Sequence, residues 1–563
     1  MSVPESSVDA AAAALPPLLR PLLGKQAYPH PVSAITLLQT HISWVLLTGN
    51  YVYKIKKPVD FGFLDFSTLE RRREACEAEL RLNHRLAPEL YLGLVQVIRS
   101  DGGARIGDVD AAGAEVVEYA VRMRQFGQDA QLDRVLECGA LEPAALLQLA
   151  ADIARFHLDA PAAPADSGFG SDQAVWQPVE DNFGVLEAAA ATPHQRAQIA
   201  AVRQWCRACF RALRGRLEDR RRHGWIREGH GDLHLANLVL IEGRIRAFDC
   251  IEFSADLRWI DVISDVAFLM MDLAHRGRGD LAYRFINRYL EVTGDYAGID
   301  LLDFYRVYRA LVRAKVAVLQ ARTSSGLERR ALMSAAQTHL DLAQSWTLPS
   351  QPRLLLMHGL SGSGKSRVSA EVSALLPAIR LRSDVERKRL YGLAAEARSG
   401  SALDHGIYES DSSERTYARL ADLARELLRS GHSVVVDATF LRRADRERFG
   451  VLAAELGVPL HILACSAPDD ELRRRVRKRA EKGADASEAG VEVLERQFAT
   501  VEPPAADEAA LVIPLATDLP GAARPDVCAA LAAHGLVCRY RRFRTATAGA
   551  GSAPRPASAS PSR

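Results

Sequence analysis

Long apolar runs are missing from this sequence: no stretch approaches the ~18 to 20 consecutive apolar residues that a membrane helix needs. The opening "MSVPESSVDAAAAALPPLLRPLL" lacks a positive start and is interrupted by prolines, so it does not read as a secretory signal. A cytoplasmic protein without a membrane partner is therefore expected. Cysteine is sparse: eight are scattered from Cys76 to Cys538 without the spacing of a disulfide framework, as suits a reducing compartment. One C-x-x-C pair, Cys206 and Cys209, has no second pair nearby and reads as part of a packed helix. Charge of one sign is lacking too, because a net +2 over 563 residues excludes strong nonspecific nucleic-acid binding by the whole chain. There are no internal repeats.

What is present is ordinary globular material, 48% hydrophobic and 25% charged, in a chain too long for one core. The stretch "TLPSQPR", with two prolines between a helical pattern and a strand-like run, reads as an interdomain linker. It separates two kinds of pattern. Before it come strand-like segments "AITLLQTHI", "WVLLTG" and "YVYKIKK", with "TGN" as a hairpin turn, a charged helix over about 68–86, a strand near "VVEYAVRM" and long helices. After it, apolar strands "RLLLMHG", "SVVVDATF" and "PLHILAC" alternate with amphipathic helices, the pattern of a parallel α/β sheet. The tail "TATAGAGSAPRPASASPSR" has little to bury and is expected to be disordered.

Two short stretches carry phosphate chemistry. In "HGDLHLAN", Asp232 and Asn237 stand five apart, and Asp249 ends another apolar strand seventeen residues after Asp232. Phosphoryl transfer uses such a trio: a carboxylate to orient the attacking hydroxyl and take its proton, and an amide and second carboxylate to hold Mg²⁺. Further on, "GLSGSGKS" fits G-x-x-x-x-G-K-[ST] between a strand and a helix, the context that validates a phosphate-binding loop. There the backbone of Gly359, Leu360, Ser361, Gly362, Ser363 and Gly364 would wrap phosphates, Lys365 would reach the outer ones, and Ser366 would bind Mg²⁺. Asp437, ending "SVVVD", is placed to hold Mg²⁺ as well.

The spacing H-x-D-x-x-x-x-N followed by a strand-terminal Asp resembles the catalytic loop of protein kinases. The Gly in second place and His234 make it more similar to aminoglycoside and choline phosphotransferases. That resemblance implies Asp232 as catalytic base, Asn237 and Asp249 as metal ligands, a strand lysine paired with a helix glutamate, and a hinge near "EYAVRMRQF". Lys54 and Lys56 share one strand face, with Lys54 favoured as the nucleotide-binding cation. Among Glu74, Glu77 and Glu79, helical spacing aligns Glu79 with Leu82 and Leu86 and points it inward. "DLRWIDVISDVAFLMMDLAHR" reads as a buried helix carrying Asp261 and Asp265, and the phosphotransferase resemblance implies that one of them, expected to be Asp265, braces the catalytic loop. The turn "QTHIS" has no glycine, unlike the Gly-rich loop of protein kinases.

The order P-loop, "SDVER", "DAT" resembles the polynucleotide kinase and zeta-toxin group of small P-loop kinases. It implies Asp384, nineteen residues past Lys365, as activator of the acceptor hydroxyl, with Arg387 one turn later. Six cations within 473–479 suggest a basic lid, from which Arg475 and Arg479 are the expected phosphate ligands; a solvated basic helix shows the same run.

The expectation is two domains, an N-terminal α+β protein kinase-like bilobal fold and a C-terminal α/β P-loop NTPase with a parallel sheet. Their limits are a segment over 1–24, a kinase domain over 25–345, a linker over 346–352, a P-loop kinase domain over 353–545 and a tail over 546–563. The expected function is bifunctional transfer from ATP, with Mg²⁺, to hydroxyls of unidentified small molecules or nucleic-acid ends, with no specific protein partner. The alternative is a nucleotide-binding regulator in which only the P-loop domain is active.

Overall fold

The computed structural model describes residues 15–62, 64–100, 102–107, 115–395, 397, 410–482, 490–517 and 524–536. The expectations for the opening residues up to 14 and for the tail over 546–563 lie outside the described residues. The chain forms two compact units, one from Met1–Asp272 and Arg288–Leu348, the other from Leu273–Asn287 and Pro349–Arg563. Residues 273–287, expected in the N-terminal domain, thus count with the second unit. Within that unit, Asn287 donates from Nδ2 to the Ala378 carbonyl at 3.0 Å and accepts from the Arg380 N–H at 2.7 Å. A helical residue whose partners lie ninety positions downstream leaves no local signal.

The first unit is built on a six-stranded antiparallel sheet ordered β1-β2-β3-β6-β4-β5. Its strands are β1 (Thr36–Gln39), β2 (Ser43–Leu47), β3 (Tyr51–Lys56), β4 (Tyr91–Ser100), β5 (Gly103–Gly107) and β6 (Val116–Arg124). Alternation sorts β3 between two environments. Tyr53 and Ile55 enter a core with Trp44, Leu46, Val97 and Ala120, whereas Val52, Lys54 and Lys56 lie on the other face. On that face lies helix α1 (Leu69–Asn83), capped where the Thr68 hydroxyl accepts from the Arg71 N–H. The stretch expected as a hinge is mostly paired strand, since "EYAVRMR" belongs to β6 between β3 and β4.

Further along, β7 (Ile226–Glu228) pairs with β10 (Trp259–Asp261), while β8 (Leu238–Ile241) and β9 (Arg244–Ala247) form a hairpin. The expectation of one helix through Asp261 and Asp265 is corrected here: a short strand precedes helix α2 (Val262–His275). Trp259, Ile260 and Asp261 all pair with β7, and the Asp261 carboxylate at the end of the strand is used twice. It accepts from the Ile263 N–H at 2.9 Å and pairs with the buried Arg220 at 2.6 Å.

In the second unit five strands lie parallel: β11 (Leu354–His358), β12 (Ala378–Arg382), β13 (Ser433–Asp437), β14 (Leu460–Ser466) and β15 (Val512–Ala516), ordered β12-β13-β11-β14-β15. Both faces are covered, so the central strands are apolar almost throughout. Leu355, Met357, Val435, Leu463 and Ile513 share a core with Val368 and Val372 of helix α3 (Lys365–Leu375). Gly359, Asp437, Ser466 and Thr517 lie at or just beyond the carboxyl ends of four strands, where parallel sheets hold their ligands. No helix among the described residues is long and apolar enough to cross a membrane.

Candidate active sites

The loop between β7 and β8 is fixed from beneath. Asp265 is fully buried and accepts from the backbone N–H of His230 at 2.6 Å and of Gly231 at 3.0 Å, with His157 Nε2 3.3 Å away. Arg309 donates to the Gly231 carbonyl at 3.0 Å, and Asp272 accepts from the Leu235 N–H at 3.0 Å. Gly231 has φ 85°, and a Cβ there would lie 2.7 Å from the Leu257 carbonyl, so the second position of the motif requires glycine. His230 lies 3.0 Å from the Phe248 carbonyl through Nε2 and 3.3 Å from the Asp232 N–H through Nδ1. One donor and one acceptor fit the neutral ring, and burial lowers its pKa accordingly.

Asp232 emerges at the top of this loop. Asn237 donates from Nδ2 to its carboxylate at 2.8 Å and its carbonyl at 3.0 Å, leaving the Asn237 Oδ1 as a hard oxygen ligand. Burial pushes the Asp232 carboxyl up, but the neighbouring His234 and Arg309 outweigh it and hold it well below the usual carboxylate range. Asp249 has φ 61° and donates its N–H to the Tyr91 hydroxyl, which turns its carboxylate to Lys54. Lys54 also binds Glu79 at 2.8 Å, and Glu79 binds Lys56 at 2.5 Å. Burial alone would raise Glu79, yet the two lysines hold it at about 2.

The second site begins where β11 ends. Gly359, Gly362 and Gly364 all have positive φ, and a Cβ at Gly362 would meet the Leu472 carbonyl at 2.9 Å. The Lys365 ammonium donates to the Leu360 carbonyl at 2.8 Å. Burial lowers its pKa, against the attraction of Asp437, Cys465 and Asp384. Asp437 accepts from the Ser369 hydroxyl at 2.9 Å, and Ser366 lies at the start of α3. Asp384 lies in the first turn of helix α4 (Ser383–Leu390), while Arg479, on helix α5 (Asp469–Lys482), is close enough to act on Lys365. Arg475 packs against the cradle itself: it donates to the Thr517 carbonyl at 2.7 Å, the Thr517 hydroxyl at 3.1 Å and the Gly362 carbonyl at 3.3 Å.

Several residues of these sites escaped the sequence reading. Glu252, Arg309 and His157 serve the first, Thr517 and Gln497 the second, where Gln497 accepts from the Ser361 N–H at 2.8 Å. Only Glu252 left a local trace, as an acid three residues after Asp249 in an apolar stretch. Oxygen donors at Asn237 and Asp249, and at Ser366 and Asp437, suit Mg²⁺. Among the described residues no cluster of three His, Cys, Asp or Glu side chains could hold an ion unaided, so phosphate and water would complete either shell. The glycine cradle at 359–364, with no room for a Cβ at Gly362, fits a polyphosphate.

Residues 354–504 match a family described as an AAA domain. The uncharacterized protein Rv2004c of Mycobacterium tuberculosis is 33% identical over 467 residues, covering 81% of this chain and 89% of that protein; the uncharacterized protein Mb2027c of Mycobacterium bovis gives the same figures. Among solved structures, a choline/ethanolamine kinase family protein from Mesorhizobium loti is 12% identical, with a TM-score of 0.35, over 60% of this chain and 99% of that one. The APS kinase CysC of Mycobacterium tuberculosis, in complex with AMPPNP and APS, is 22% identical, with a TM-score of 0.25, over 33% and 98%.

Proposed function

The chain belongs to the family of the Mycobacterium tuberculosis protein Rv2004c, and we propose that it is a cytoplasmic, bifunctional ATP-dependent phosphotransferase with one nucleotide site in each unit. The observation that carries the reading is the convergence of Lys54, Glu79 and Asp249 beside a loop in which Asn237 holds the ionised Asp232. Asp232 accepts the proton of an acceptor hydroxyl as its oxygen bonds to the γ-phosphorus of ATP, and the bond to the bridging oxygen breaks to release ADP. Lys54 balances charge on the phosphates. Asn237 and Asp249 would hold Mg²⁺, which would supply neutralisation of the developing charge.

In the second unit the cradle and Lys365 bind the phosphates, Ser366 and Asp437 would hold the metal, and Asp384 activates a second acceptor. The acceptors are hydroxyls of small molecules or of nucleic-acid ends. One feature favours the regulator alternative for the first unit: the β1–β2 turn is closed by the Thr40 hydroxyl accepting from the Ser43 N–H at 2.9 Å and contains no glycine to approach a phosphate. Calorimetric titration of the full chain with AMP-PNP and Mg²⁺ tests the reading. Two nucleotides per chain are expected, and one after Lys365→Ala. A stoichiometry of one in the wild type, lost in Lys365→Ala, would leave the first unit without a nucleotide site.

A further inference from the structure

A row of ion pairs, open at one end and buried at the other, runs through the first unit in the order Asp249, Lys54, Glu79, Lys56, Glu252. The two lysines lie two apart on β3 and share Glu79, whose Oε1 takes Lys54 and Oε2 takes Lys56. Their surroundings differ. The Lys54 side chain is 12% exposed and its partner Asp249 44%, whereas Lys56 is sealed at 0% and Glu252 at 3%. Lys56 also sits 5.6 Å from the Phe66 ring centroid, and the Glu252 carbonyl accepts from Arg258 at 3.1 Å.

The open pair and the sealed pair have different fates once a nucleotide enters. Lys54 must turn to phosphate and Asp249 to the metal, so the bond between them is exchanged for ligand. Glu79 then loses part of its hold on one side. Lys56, with none of its side chain exposed, has no route to a ligand or to solvent, so its bonds to Glu79 and Glu252 persist. We propose that Lys56 and Glu252 are positioning residues, a fixed anchor that keeps Glu79 and the Asp249 segment in place while Lys54 and Asp249 trade each other for nucleotide and metal. The inference rests on the phosphotransferase reading of the first unit. A single lysine–glutamate pair would have to break and hold at once.

The test uses the full chain carrying Lys365→Ala, so that binding of the fluorescent analogue mant-ATP reports the first unit. In that background Glu252→Gln keeps the size of the side chain but removes the charge. We expect the Mg²⁺ concentration for half-maximal probe binding to rise severalfold, less than the ~10- to 100-fold that follows when a metal ligand's own partner is removed, while probe binding in EDTA is unchanged. Amide hydrogen exchange over 247–254 should rise in the Mg²⁺-probe state. Glu252→Asp, which keeps the charge with a shorter reach, should fall between the two and carries the test if Glu252→Gln does not fold. An unchanged Mg²⁺ requirement overturns the anchor, as does equal loss of affinity with and without Mg²⁺. If the Lys365→Ala parent binds no probe at all, the reading of the first unit fails, and the anchor with it.

Discussion

His230 holds more of the first site's geometry than its place two residues before Asp232 suggests. Its backbone N–H is fixed by Asp265, and its ring spans the Phe248 carbonyl and the Asp232 N–H. The ring must stay neutral to accept from Asp232, and burial lowers its pKa in the fold. In the unfolded chain the ordinary value of about 6.5 returns. Above that pH both states are neutral and nothing is lost; as pH falls below about 6.5 the unfolded chain takes up the proton first, and stability drops until the folded ring also protonates. The free energy of unfolding should therefore fall between pH 7 and 5, and less steeply in His230→Gln, by at most ~1.4 kcal/mol per pH unit. His358 and His461 are lowered by burial in the second unit and add the same slope to both proteins, so the difference isolates His230. Parallel curves would show that the ring is not held neutral.

Among the elements, the phosphate loop is the most local in its making: strand β11 ends at His358, the glycine-bearing loop runs over 359–364 and helix α3 starts at Lys365. Gly359 has φ 140°, and a Cβ there would run into the Cys465 carbonyl of β14. Gly359→Ala should lower the stability of the second unit by ~1 to 3 kcal/mol from backbone strain alone and abolish its nucleotide binding. Denaturant melts with an unchanged midpoint would contradict the packing described here. Such locality explains what was legible: the loop, the "TGN" turn at Gly49 and the face of β3 that carries both lysines follow from residues within a few positions. Other features depend on distant partners. β10 is three residues long, too short for any periodicity to separate it from the following helix. Arg475 looks like one cation in a basic run until Thr517, forty-two positions on, claims it. Glu252 becomes part of a site only because Lys56 meets it from nearly two hundred residues away.

For the whole molecule, the division into two units turns the central claim into a question of chemical independence. Asp232 and Lys365 lie in different units, each beside its own proposed pair of metal ligands. The most direct measurement is mass-spectrometric identification of the products when the full chain, γ-labelled ATP, Mg²⁺ and a metabolite extract are combined, with wild type, Asp232→Asn, Lys365→Ala and the double variant side by side. The account predicts two phosphorylated products. Asp232→Asn should lower one by about 10² to 10⁴-fold, the range for loss of a general base, while ATP still binds. Lys365→Ala should remove the other and spare the first, and the double variant should lose both. A single product, lost in Lys365→Ala and untouched by Asp232→Asn, would contradict the account and leave the first unit a nucleotide-binding regulator.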